Sequence, residues 1–84
     1  MKYTVLWVPK AEQELAAIWM KSTRRRKVTT AAHRIDQRLR RNPETAGESR
    51  EQGRRILHES PLGVLFRVEP EDRIVHVLTV WRFG

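Results

Sequence analysis

The chain opens on a run of aromatic and β-branched residues, Tyr3 to Val8, in which Tyr3, Val5 and Trp7 alternate with Thr4, Leu6 and Val8. Apolar positions on both alternations predict a strand buried on both faces. Pro9 ends that strand and suits the first turn of a helix, where the early acids Glu12 and Glu14 favour the positive end of the dipole. Ala11, Leu15, Ile18 and Trp19 then recur at helical spacing, the stripe of an amphipathic helix running to about Lys21. Ser22 and Thr23 are residue types that cap a second helix, in which Val28, Ala32, Ile35 and Leu39 repeat until Asn42-Pro43 closes it.

Residues 43–53, PETAGESREQG, have no apolar period and read as a polar loop. Beyond them the period becomes that of strands. Arg54–Glu59, Gly63–Glu69 and Arg73–Arg82 are separated by turns at Ser60-Pro61-Leu62 and Pro70-Glu71-Asp72. The last run, IVHVLTVW, is apolar nearly throughout, which predicts a central strand covered on both faces. The order β-α-α-β-β-β predicts an α+β two-layer domain, with two N-terminal helices packed on one face of an antiparallel sheet to which the first strand adds. One domain spanning residues 1–84 is expected to carry the whole function. A chain of this size buries only about 60 % of its unfolded surface, so a stabilising partner is expected too.

Charge changes the picture. The formal net charge is +7, and 13 of the 17 Lys and Arg are arginine, the side chain suited to bidentate phosphate contact. Nine of the 17 fall between Lys21 and Arg41, with Asp36 the only acid there. Lys27, Arg34, Arg38 and Arg41 lie at i, i+7, i+11 and i+14, so helical geometry gathers them into one ridge beside the apolar stripe. That ridge is a candidate nucleic-acid or acidic-protein contact. With no cysteine, the chain has no disulfides, thiolate metal sites or cysteine nucleophile, and it suits a reducing compartment. The apolar stretch before Pro9 is too short for a signal-peptide core or a spanning helix, so a cytoplasmic protein with no membrane association is expected.

The element order, Asn42-Pro43 at the end of the second helix, Arg55-Ile56-Leu57 opening the meander and Val64-Leu65-Phe66-Arg67-Val68 following it resemble the RelE/ParE superfamily of toxins. The resemblance spans essentially the whole chain. It implies the toxin component of a bacterial type II toxin–antitoxin system, with a cognate antitoxin that wraps the toxin. One branch of the superfamily comprises metal-independent ribonucleases that cut mRNA on the ribosome. The ParE branch inhibits DNA gyrase.

Metal-independent RNA cleavage needs a base, an acid and cations preorganised around the phosphate. The histidines stand singly at 33, 58 and 76, without metal-ligand spacing, so no metal or cofactor is expected. Strand alternation puts Arg54 and His58 on one face of their strand and Arg67 on the face of the next strand opposite Val64, Phe66 and Val68. Arg54, His58 and Arg67 are therefore expected on the uncovered sheet face, with Arg82 at its rim, as the candidate catalytic set. RelE-like ribonucleases place basic catalytic residues on that face: Arg54 falls where RelE has a strand lysine, Arg82 near its late arginine, and Gly63 where it has an arginine. YoeB ends in an arginine, an aromatic and His-Tyr, where this sequence reads Arg82-Phe83-Gly84. His58 is the candidate proton-transfer residue, because an imidazole titrates near neutrality. Glu51 is an alternative base, His76 is expected as a partly buried strand residue and His33 as an exposed one. Arg55 is expected to pair with Glu59 or Asp36, and Trp7 and Trp19 to lie between sheet and helices. Trp81, beside Arg82, is a candidate for stacking on a nucleobase.

Overall fold

The computed structural model describes residues 2–83. Its elements are β1 (Thr4–Trp7), α1 (Pro9–Lys21), α2 (Arg25–Arg41), β2 (Glu48–Ser49), β3 (Arg54–Glu59), β4 (Leu62–Glu69) and β5 (Ile74–Arg82). They form one sheet in the order β1-β5-β4-β3-β2. The meander and β2 pair antiparallel, whereas β1 runs parallel to β5, so the sheet is mixed. The helical hairpin between β1 and the meander allows this, because it returns the chain to the starting end of the sheet before the antiparallel strands begin.

The core lies between the helices and one sheet face. Val28, Ala31, Ile35 and Leu39 of α2 are buried against Leu57, Val64, Phe66, Val75 and Val77. Ala31, not Ala32, completes the buried stripe, and Ala32 is only partly covered. At β1, Val5 and the preceding Tyr3 are buried while Thr4 and Leu6 are exposed, so that strand is covered on one face only. The same holds for β5, whose Ile74, His76 and Trp81 are half-buried. The second face expected for both strands is open because both helices pack on the same side.

Two devices fix the helices. Between α1 and α2, Arg25 donates to the backbone carbonyls of Trp19 and Met20, each at 3.1 Å, and lies 4.6 Å from the Trp19 ring. It thereby satisfies carbonyls that every helix C-terminus leaves unpaired. Trp19 Nε1 also donates to Thr29 Oγ1, so this residue lies, 41 % exposed, on the seam between the two helices and outside the core. At the other end of α1, β1 stops alongside Val77 and leaves the edge of β5 open. The Glu14 carboxylate covers it, accepting from Thr79 Oγ1 at 2.8 Å and from the Val80 N–H at 3.2 Å.

Two-residue β2 falls inside the segment expected as loop. Its approach to β3 depends on Gly47, at φ 65°, where a Cβ would stand 1.9 Å from the Ile56 carbonyl oxygen. Arg55 donates to the carbonyls of Ala46 at 2.8 Å and Gly47 at 3.1 Å, tying that loop down. It does not pair with Glu59 or Asp36, which instead meet Arg34 at 3.8 Å and Arg40 at 2.7 Å.

Candidate functional site

Strand register builds the open face. Arg54 of β3 stands opposite Arg67 of β4, and Arg67 stands opposite His76 of β5. Cross-strand partners share a face, so two arginines and a histidine form one row across the sheet. Like charges directly opposite each other are destabilising on a sheet, and neither arginine has a salt bridge among the described residues. Arg54 Nε donates to the Glu51 carbonyl, which steadies the side chain without neutralising it. This charge concentration is the face's principal chemical feature.

His76 extends it. Its Nδ1 lies 2.8 Å from Glu69 Oε2, on the same face one position further along β4. A carboxylate on Nδ1 fixes the tautomer that leaves Nε2 as the free proton acceptor, pointing away from Glu69. The histidine expected as a partly buried strand residue is thus a half-exposed His–Glu pair beside two arginines. Nothing in sequence spacing pointed to it, because only the pairing of β4 with β5 brings Arg67 and Glu69 to His76.

His58 lies elsewhere on the same face. It stands opposite Gly63, four residues along β3 from Arg54, about 13 Å at strand rise. It is exposed and meets Phe83 and Trp81 edge to face, with ring centroids 5.0 and 6.1 Å apart. The Trp81 indole lies across Gly63, where a Cβ would stand 2.5 Å from the ring. The ring leaves room there for no side chain larger than that of glycine. His58, Trp81 and Phe83 make an aromatic cluster at one end of the face, and the Arg54–Arg67–His76 row lies at the other.

Arg82 is on the opposite side. The β4–β5 register shifts between Leu65 and Phe66, with Leu65 opposite Thr79 and Phe66 opposite Val77, so Leu78 is an extra residue. Such a bulge inverts the alternation beyond it. Val80 becomes a core residue, Trp81 turns to the open face, and Arg82 falls on the helix side, opposite buried Leu62. There it joins the α2 cations: Lys27, Arg34 and Arg82 line one cleft, and Arg34, Arg38 and Arg41 line the next. The four ridge positions are thus exposed on one side of α2, as helical spacing implies. Glu51 is exposed in the short 3₁₀ turn Glu51–Gly53, and His33 is exposed on α2.

A third surface is apolar. A groove of about 850 Å³ runs along the outer side of the hairpin, lined by Leu6, Leu15, Trp19, Met20, Val28 and Ala32. Leu6, Trp19 and Met20 are among the exposed large hydrophobic residues. It adjoins the unpaired edge of β1.

A helical hairpin on a five-stranded mixed sheet, with cations on both sides, defines a toxin of the RelE/ParE superfamily. The family model for the ParE toxin of type II toxin-antitoxin system, parDE, matches residues 5–82, and the chain belongs to that family. A chain of the toxin–antitoxin complex RelBE2 from Mycobacterium tuberculosis superposes with a TM-score of 0.79 at 21 % identity, covering 98 % of this chain and 92 % of that one. The chromosomal ParDE TA system from P. aeruginosa gives 0.75 at 22 %, covering 99 % and 98 %. These likenesses concern the fold. A search of curated proteins finds no match. Among the described residues, no helix is long and apolar enough to cross a membrane.

Proposed function

We propose that this toxin is a metal-independent endoribonuclease that cuts mRNA on the ribosome, held inactive by a cognate antitoxin. The observation that carries this reading is the His76–Glu69 pair in register with Arg67 and Arg54. In the reaction, His76 Nε2 takes the proton of a ribose 2′-hydroxyl, and that oxygen attacks the adjacent phosphorus. The new O2′–P bond forms as the P–O5′ bond breaks, and the 5′-oxygen leaves with a proton from water. The products are a 2′,3′-cyclic phosphate and a 5′-hydroxyl. Arg54 and Arg67 hold the extra negative charge of the transition state, and two preorganised cations act where charge develops, the largest contribution in most enzymes. General base catalysis adds about 10² to 10⁴. The aromatic cluster of His58, Trp81 and Phe83 lies where a flanking base of the message would stack.

The antitoxin part of the reading is supported by the apolar groove and the free β1 edge. An amphipathic segment fills such a groove, and an extended one adds to such an edge. The two solved structures named above are of toxin–antitoxin systems.

A second reading, inhibition of DNA gyrase without chemistry, is favoured by the match of residues 5–82 to the ParE family model. One experiment separates the two. Purified protein is added to translating ribosomes with a defined message, and to gyrase with relaxed plasmid. Discrete cuts ending in cyclic phosphate, with supercoiling unaffected, are expected. Intact message at saturating protein, together with blocked supercoiling, would establish the gyrase reading instead. Growth arrest on expression, relieved by the product of the adjacent reading frame, tests the antitoxin.

A further inference from the structure

The helix side of the molecule holds a second concentration of charge, separated by the sheet from the Arg54–Arg67–His76 row. Between the N-terminal half of α2 and the β3–β4 turn opens a cleft of about 770 Å³, lined by Arg24, Arg26, Lys27, Arg34 and Arg82. Its volume is within the range of sites that enclose a small molecule. Only Arg34 has a carboxylate partner among the described residues, and Glu59 lies at the long distance of 3.8 Å.

The placement works against stability. Arg25, Arg26 and Lys27 occupy the first turn of α2, which has no acid. The positive end of a helix favours anions, and cations there repel both the dipole and one another. Arg82 is brought to the same place from the far end of β5 by the bulge at Leu78. Two separate parts of the fold, the N-terminal half of α2 and the end of β5, therefore present weakly compensated charge to one recess, which the uncharged β3–β4 turn closes. A bound anion relieves all of these repulsions at once.

The side chains indicate which anion. Four of the five cations are arginines, whose planar forks bind phosphate through paired N–H donors. The hydroxyls of Thr30 and Ser60 add neutral donors, and Ala31 and Pro61 supply apolar wall. No unpaired strand edge lines the recess, so it lacks the backbone partners that an extended acidic peptide requires. Such a peptide also turns alternate carboxylates away from any one surface. Consecutive phosphates concentrate their charge more densely.

We propose that this cleft is a recognition site for consecutive phosphates, supplied either by a free nucleoside polyphosphate or by the backbone of a single-stranded nucleic acid. The site is independent of the nuclease reading, because its residues lie on the other side of the sheet.

Calorimetric titration of the full chain with inorganic tripolyphosphate tests it. Binding is expected, weakened about tenfold by Arg26→Gln and by Arg82→Gln, with circular dichroism unchanged. Arg50→Gln removes the same charge from a distant surface and should leave the affinity as it was. If Arg82→Gln fails to fold, Lys27→Gln, on the exposed side of α2, replaces it. A short single-stranded RNA is titrated in parallel. Tighter binding of the RNA, weakened by Arg38→Gln, assigns the ligand to a nucleic-acid backbone. Binding no tighter than that of tripolyphosphate assigns it to a compact polyphosphate. Absence of tripolyphosphate binding, an equal loss in Arg50→Gln, or equally tight binding of hexaglutamate would each overturn the proposal.

Discussion

His76 shows how little of a side chain's chemistry is legible from its neighbours in sequence. Among Val75, Val77 and Leu78 it reads as a partly buried strand residue, which it is, but the sequence does not show that its Nδ1 meets Glu69 at 2.8 Å on the open face. If it is the base, His76→Ala should lower the cleavage rate by about 10² to 10⁴. Glu69→Gln should cost less, because an amide oxygen still accepts from Nδ1–H. Single-turnover cleavage with the unfolding midpoint as control checks this, and unchanged activity in His76→Ala would remove His76 from the mechanism. Gly63 is the second case. A methyl group there would stand 2.5 Å from the Trp81 indole, so Gly63→Ala should destabilise by about 1–3 kcal/mol, the usual cost of overpacking. In Gly63→Ala/Trp81→Ala the glycine substitution should cost far less, because the clashing ring is gone. Urea denaturation of the four forms gives that coupling directly.

At the scale of elements, the end of one strand is completed by a helix. Beyond β1 the edge of β5 has no strand partner, and Glu14 of α1 takes its place. The Thr79 hydroxyl, foremost, and the Val80 N–H and Lys10 hold the Glu14 carboxyl below the usual glutamate range, against a smaller opposing effect of burial. A carboxyl whose folded pKa is depressed contributes stability above its unfolded pKa and loses it as pH falls through the folded one. Stability should therefore decline in acid partly through Glu14, and Glu14→Gln should flatten that part of the profile. Glu14→Ala should cost about 1–3 kcal/mol near neutrality, by leaving the Val80 N–H and the Thr79 hydroxyl proton without their acceptor. Thermal melts across the acid range, compared for the three forms, check both statements.

Over the whole molecule, the +7 charge is divided between the two sides of one sheet. The open face carries the Arg54–Arg67 pair, and the helix side carries the α2 ridge with Arg82. Self-repulsion of this kind destabilises the compact state and is screened by salt within about 10 Å at 0.1 M. The unfolding midpoint should accordingly rise with sodium chloride between about 0.05 and 0.5 M, by about 4–8 °C for each kcal/mol relieved. A midpoint that is flat or falls with salt would show that the cations are already compensated.

Periodicity alone determined most of the architecture. The meander strands begin and end within a residue of where alternation puts them, both helices form where their stripes put them although Ala31 replaces Ala32 in the buried row and Trp19 is exposed, and the ridge follows from spacing on α2. These are local properties, set by 3.6 or two residues per repeat. The placement of the site was not local. Parallel pairing of β1, two-residue β2, and the rows that bring Arg54, Arg67, Glu69 and His76 together depend on which strands lie side by side. One inserted residue at Leu78 then reversed the alternation for the rest of β5, carrying Trp81 to the open face and Arg82 away from it. Alternation in a sequence states which residues share a face of one strand. Only the folded sheet, with its register and its bulge, decides which faces meet.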